Sequence, residues 1–225
     1  MKGRSLVKFW SKKNVPLVVI LGLGRFGMAL GEELVASGVE VLGIDDDEEV
    51  VKRAAPLLTH VAQADTTNPD ALRQLSVHEA QRVVIGIGSD MGASLLTAST
   101  VLDLGVPNVW AKADNVNHAK ILSQIGVHHV IRPDRDTGRR IAHVITGRVE
   151  EYAEFDRDFA LVKVAPPVSL LGQPISAVQG EISIVAIRPA EGTFRIATPE
   201  TIMHSGDLVI AAGSIQALEE FGAAD

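Results

Sequence analysis

Three glycines, Gly22, Gly24 and Gly27, stand in a G-x-G-x-x-G pattern around Leu23, Arg25 and Phe26. This spacing suits holding an anion rather than breaking a bond. Gly22 allows a tight turn, Gly24 lets the backbone approach a phosphate, and Gly27 lets a helix lie close against a strand. The helix that follows offers free N–H groups and the positive end of its dipole. Asp45 ends a second apolar run about 20 residues further on, where a carboxylate accepts hydrogen bonds from a ribose diol. An aspartate there could instead cap the next helix. Spacing, strand end and residue type favour the ribose role for Asp45 and leave Asp46 and Asp47 to the cap. Arg25, inside the pattern, adds a charged fork beside the phosphates. With Lys112 it suits ATP or ADP better than a ligand ending in nicotinamide riboside. Asp45 needs a free 2′-hydroxyl, which disfavours NADP and leaves NAD and ATP open.

Other chemistry is hard to find. The Tyr-x-x-x-Lys pair of short-chain reductases is missing, since the one tyrosine, Tyr152, has Asp156 four residues on. There is no G-x-S-x-G elbow and no H-E-x-x-H. Gly22 and Gly27 have P-loop spacing but are followed by Met28-Ala29. His128 and His129 are neighbours in a predicted strand and so point to opposite faces. His118 reads as a packed or solvated histidine. With no cysteine, the chain has no disulfide framework, thiolate zinc site or thiol nucleophile, and a reducing, cytosolic setting is expected. The alternative to a binding protein is an NAD-dependent oxidoreductase, which would need a hydride acceptor site and a proton donor beside it.

The elements that must position these residues follow from hydrophobic patterning. Of 225 residues 46% are hydrophobic and only 4% aromatic, so aliphatic side chains fill the core. No apolar run approaches the roughly 18 to 20 residues of a membrane span. The net charge of −7 argues against a general nucleic-acid binder. Residues 1–14 nevertheless carry Lys2, Arg4, Lys8, Lys12 and Lys13 and no acid. This basic tail, with Phe9 and Trp10, is suited to anionic headgroups or a membrane-protein partner, or is simply a solvated terminus. From Pro16 to about residue 132, apolar runs at 18–21, 39–44, 57–62, 82–87, 108–112 and 128–131 alternate with helical segments. That grammar predicts an α/β, Rossmann-like doubly wound parallel sheet with its ligand site at the carboxyl ends of the strands. Those ends carry the glycine turn, Asp45, Asp65, the loop Gly86-Ile87-Gly88-Ser89, Lys112 and Asp134. A helix at 137–146 leads out. Strands at 159–164, 182–187 and 208–212, with short helices at 174–178 and 215–221, predict a small, mostly antiparallel α+β lobe. The expected division is a tail at 1–14, a nucleotide-binding domain at 15–150 and a second domain at 151–225.

With these motifs the sequence resembles the KtrA/TrkA family, the regulatory subunits of bacterial potassium uptake systems, built from RCK (KTN) domains. The resemblance rests on Val19-Ile20-Leu21-Gly22-Leu23-Gly24-Arg25-Phe26-Gly27, Gly43-Ile44-Asp45, Ala64-Asp65-Thr66-Thr67, Ile85-Gly86-Ile87-Gly88-Ser89, Val109-Trp110-Ala111-Lys112-Ala113 and Pro133-Asp134-Arg135-Asp136-Thr137-Gly138. In the second domain it rests on Thr198-Pro199-Glu200-Thr201 and on Ser205-Gly206-Asp207-Leu208 with the run to Gly213. It implies an RCK N-terminal and C-terminal lobe, no catalysis, and ATP, ADP or NAD(H) bound in the first lobe. Gly22, Gly24, Arg25, Phe26 and Gly27 would hold the phosphates, Asp45 the ribose, and Asp65 and Thr66 the adenine edge. Gly88 and Lys112 would support the phosphates. The family's cation, divalent or monovalent, would meet Asp134, where some members have a glutamate. The resemblance also implies a homodimer assembling into an octameric ring beneath a membrane potassium-translocating subunit of the KtrB/TrkH kind. The chain would then be cytoplasmic and peripheral to the inner face of the membrane. The arginine that some C-terminal lobes use for cyclic di-AMP has no counterpart near Ala177-Val178-Gln179-Gly180-Glu181, so that ligand is not implied.

Overall fold

The computed structural model describes residues 17–145, 149–156 and 158–223. The basic segment at 1–14 lies outside the described residues. Two compact units divide between Asp134 and Arg135, whereas the sequence suggests a boundary near residue 150.

In the first unit six strands alternate with helices. They are β1 (Leu17–Leu21), β2 (Glu40–Asp45), β3 (His60–Gln63), β4 (Arg82–Ile85), β5 (Val109–Lys112) and β6 (His129–Ile131). The intervening helices are α1 (Arg25–Ala36), α2 (Glu48–Ala54), α3 (Pro69–Gln74), α4 (Met91–Asp103) and α5 (Val116–Gln124). The strands lie in the order β3-β2-β1-β4-β5-β6, every pair parallel. Strand order reverses between β1 and β4, and Leu21 pairs Ile44 on one side and Ile85 on the other. Both faces are covered, so successive residues of one strand enter different cores. Val19, Leu21, Ile44, Val83 and Ile85 pack beneath Leu72, Ala98, Val101 and Leu122. Val18, Ile20, Val41 and Val84 pack with Ala54 and Leu58 on the other face. Burying one such aliphatic side chain fully is worth about 1.5–3 kcal/mol.

Polar caps start four of these helices, at Asp47 as the sequence suggests and at Asn68, Asp90 and Asn115. Asp47 accepts from the Glu49 amide at 2.8 Å, Asn68 from Asp70 at 3.0 Å, Asp90 from Ala93 at 3.0 Å and Asn115 from His118 at 2.9 Å. The third strand is shorter than the apolar run at 57–62 predicts. Leu57 and Leu58 lie ahead of it, and Leu58 fills the space that a Cβ would take at Gly31 and Gly43.

The helix leading out, α6 (Pro133–Ile145), starts at the proline instead of at residue 137. Proline's fixed φ suits the first turn, where its missing N–H costs nothing. In the second unit β7 (Glu151–Asp156), β8 (Phe159–Val164), β9 (Ile182–Arg188), β10 (Arg195–Ile196) and β11 (Leu208–Gly213) form an antiparallel sheet in the order β10-β9-β11-β8-β7. Helix α7 (Ile215–Ala223) contributes Leu218 and Phe221 to a core with Tyr152, Val162, Val164, Ile184, Val209 and Ala211. The segment read as a helix at 174–178 is a single 3₁₀ turn, Ile175–Ala177. Strands β7 and β10 are additions to the three that the sequence suggests.

Candidate nucleotide site

The glycine turn is built from contacts that side chains would prevent. Gly22 has φ +92°, a conformation that L side chains rarely adopt, and its amide donates to the Ile44 carbonyl at 2.8 Å. A Cβ on Gly27 would collide with the Gly22 carbonyl oxygen, and one on Gly86 would stand 2.6 Å from the same atom. A Cβ on Gly24 would meet nothing within 4 Å. Gly24 is the N-cap of α1 and is exposed, and no side chain caps that helix. Of the three glycines of the pattern, Gly24 alone has room where a Cβ would stand, and it sits at the uncapped start of α1. Arg25, the first residue of α1, is exposed, and none of the described residues pairs with it by hydrogen bond or salt bridge. The Phe26 side chain packs against the core beside Ile20 and Leu23, which leaves its backbone to the turn.

Asp45 ends β2 half-buried, with one carboxylate oxygen accepting the Leu23 amide at 2.7 Å and the other accepting the Asp47 amide at 3.0 Å. It is thus tied to the glycine turn itself. Its carbonyl accepts the Ala64 amide at 2.9 Å, which brings the loop after β3 alongside. In that loop Asp65 is exposed and takes the Thr67 amide at 2.8 Å and hydroxyl at 2.7 Å. Those hydrogen bonds hold its carboxyl below the usual carboxylate range. Thr66 is buried and its hydroxyl pairs with that of Thr97 at 2.9 Å, a contact inside the fold.

Lys112 ends β5 with its ammonium 2.9 Å from the Asp114 carboxylate and 3.9 Å from that of Asp134. The Lys112 side chain is only 18% exposed, that of Asp134 90%. Gly88 lies against this pair: a Cβ there would sit 2.8 Å from the lysine nitrogen and collide with an Asp114 oxygen. Among the described residues no three His, Asp or Glu side chains gather as a metal site. Asp134, to which the resemblance gives the cation, is a solvated carboxylate whose near neighbour Lys112 is paired with Asp114.

His118 is fully buried. Its Nδ1 accepts the Asp114 amide at 3.4 Å, so Nε2 carries the proton and faces the Ser94 hydroxyl at 3.1 Å. Burial pushes its pKa down, with Asp114 opposing and Lys112 assisting. This is a packed histidine, as the sequence suggests. Below the ordinary pKa of 6.5 the unfolded chain takes up a proton that the native ring resists. Stability is expected to fall as pH drops from 6.5 toward that lowered value. Urea midpoints at about pH 7.5 and pH 5.5 check this, and His118→Gln should flatten the difference. An equal slope in the variant would assign the acid sensitivity elsewhere. His128 accepts the Val109 amide at 3.0 Å through Nδ1, while His129 stacks on Trp110 with ring centroids 4.0 Å apart, so the two share no site.

Asp114, Ser94 and Gly86 were not singled out by sequence reasoning for these contacts. Only the G-x-G in residues 86–88 gave a signal, as a loop at a strand end.

A parallel sheet with a glycine turn at its point of reversal and a carboxylate closing the second strand defines a Rossmann-like unit, here followed by an antiparallel lobe. The TrkA-N domain profile matches residues 18–133 and the TrkA-C domain profile residues 159–224. The chain belongs to the Ktr/TrkA family of potassium uptake proteins, with a TrkA-N and a TrkA-C domain. It is 33% identical over 208 residues to Ktr system potassium uptake protein C of Bacillus subtilis (strain 168), covering 90% of this chain and 94% of that one. Among solved structures the fold is shared with the GsuK RCK domain, TM-score 0.65 at 16% identity, covering 95% of this chain and 48% of that chain. The GsuK channel bound to NAD gives the same TM-score of 0.65 at 16% identity, covering 94% and 40%. The chain thus spans less than half the length of each GsuK chain. Among the described residues no helix is long and apolar enough to cross a membrane.

Proposed function

We propose that this chain is a regulatory subunit of a potassium uptake system that binds ATP or ADP, with NAD(H) as the alternative, at the glycine turn and transmits occupancy mechanically. The observation that carries this reading is the contrast between Gly24, with open space where a Cβ would stand, and Gly27 and Gly86, closed against the Gly22 carbonyl. Phosphates would meet the uncapped start of α1 with Arg25 beside them, and Asp45 would take the ribose. The related Bacillus subtilis chain is a potassium uptake protein by name, and the GsuK channel has been solved with NAD. The chain works as a cytoplasmic homodimer, assembled into an octameric ring beneath a membrane-embedded potassium-translocating subunit. No bond is made or broken. A ligand that binds one ring conformation more tightly than another shifts the balance by its differential affinity and no more. The division into an N-terminal nucleotide lobe to about residue 150 and a C-terminal lobe beyond it belongs to the same reading.

The test is direct. ATP or ADP should raise the melting temperature of the purified protein, by linkage. Arg25→Ala should weaken ATP by about tenfold and ADP by clearly less, since a hydrogen-bonded charge contact is worth about 1.5–3 kcal/mol. Equal losses for both nucleotides would remove the terminal-phosphate role of Arg25. No thermal shift with ATP, ADP or NADH would overturn the nucleotide reading.

A further inference from the structure

The ion pair at the end of β5 is not a free cation waiting for phosphate. Lys112 already has a carboxylate partner, Asp114, at 2.9 Å. The pair is mostly withdrawn from solvent on the lysine side, so its attraction is less screened than that of a surface pair. Asp134, further away and solvated, adds little.

The pair also has a defined place relative to the glycine turn. The Gly86 amide donates to the Leu21 carbonyl at 2.7 Å, and a Cβ on Gly22 would stand 2.7 Å from the Ile87 side chain. The loop at 86–89 therefore lies against the turn. Two residues on, Gly88 has no side chain at the spot where the Lys112 ammonium and the Asp114 carboxylate meet. The pair borders the crevice that holds the turn.

Asp114 is held there from below. Its amide donates to buried His118, which is fixed by Ser94 and by the cap contact from its own amide to Asn115 at 2.9 Å. The Asp114 backbone is thus anchored through a neutral imidazole, and only its carboxylate is left to act.

We infer that Asp114 is a specificity-determining positioning residue: its carboxylate holds and neutralises Lys112 at the crevice, so that the site discounts ligands in proportion to their phosphate charge. This rests on the nucleotide reading above. With the carboxylate present, a phosphate arriving near Lys112 meets a neutral pair and must compete with Asp114 for the ammonium. Without it, the same phosphate meets a full positive charge, and the gain grows with each negative charge it carries.

The experiment is calorimetric titration of wild type, Asp114→Asn, Lys112→Met and the double variant with AMP, ADP and ATP at low salt. Asp114→Asn is expected to tighten ATP on the order of tenfold and AMP by no more than about threefold, with ADP between them. In the Lys112→Met background the same substitution should change the ATP to AMP ratio by less than about twofold, because Asp114 acts through Lys112. A merely structural role would weaken all three ligands together and would not track phosphate number. Should the Asn variant fail to fold, Asp114→Ser removes the same charge and carries the same expectation. If wild type binds nucleotides and the ratio is unchanged, or ATP binding weakens, the role of Asp114 is overturned while the nucleotide site stands. If wild type binds none of the three, the nucleotide reading falls and this inference with it.

Discussion

Gly27→Ala is expected to cost about 3 kcal/mol or more and to abolish nucleotide binding, the largest stability effect of any single methyl added to this site. The added carbon would collide with the Gly22 carbonyl oxygen, a backbone atom with nowhere to go. The Gly22 amide is bonded to Ile44 at 2.8 Å, and the strand before it is held on the other side by the Gly86 amide on the Leu21 carbonyl at 2.7 Å. Relief would require α1 to move off the sheet, opening the packing of Ile20 and Leu23. For a chain of this size the melting temperature should fall by roughly 6–12 °C. Gly24→Ala is the internal control. Its added carbon meets nothing within 4 Å, so the loss should stay within about 1 kcal/mol while phosphate approach is still hindered. A Gly27→Ala protein that melts with wild type would show that the turn is looser than these contacts imply.

Asp45→Ala is expected to weaken ATP and AMP equally, by about 10- to 100-fold, because the ribose is common to both and a hydrogen bond to a charged group is worth about 1.5–3 kcal/mol. This separates Asp45 from Arg25, whose loss should fall on ATP. A stability cost accompanies it. The Leu23 amide, on a residue only 2% exposed, loses its acceptor at 2.7 Å, and an orphaned buried donor costs about 1–3 kcal/mol. Asp45→Asn keeps one acceptor oxygen and should recover part of that stability without recovering the diol contact. Urea titration and calorimetry read the two effects apart. Affinity retained in Asp45→Ala would remove the ribose role.

The first unit was legible because parallel strands are buried on both faces and so spell themselves as apolar runs. The same signal overreached at Leu57 and Leu58: neither pairs, and Leu58 is apolar because it fills a gap over Gly31 and Gly43. β7 escaped for the opposite reason. Glu151, Glu154 and Asp156 give that edge strand a polar spelling, and only Tyr152 is buried among its residues. At the site, Gly22, Gly27 and Asp45 could be read because a fixed turn imposes fixed spacing. The Asp114 ion pair and the Ser94 partner of His118 could not be read. Ser94 and His118 stand 24 residues apart, and nothing local in either stretch announces a bond formed only when α4 and α5 come together.

Because Gly22, Gly27 and Gly86 meet around a single carbonyl, the frame has no slack to take up. Under the nucleotide reading a ligand would be received without an induced-fit step, and its on-rate should be governed by diffusion and long-range charge. Any displacement that then propagates would have to begin at the rim, in the long, exposed stem of Arg25.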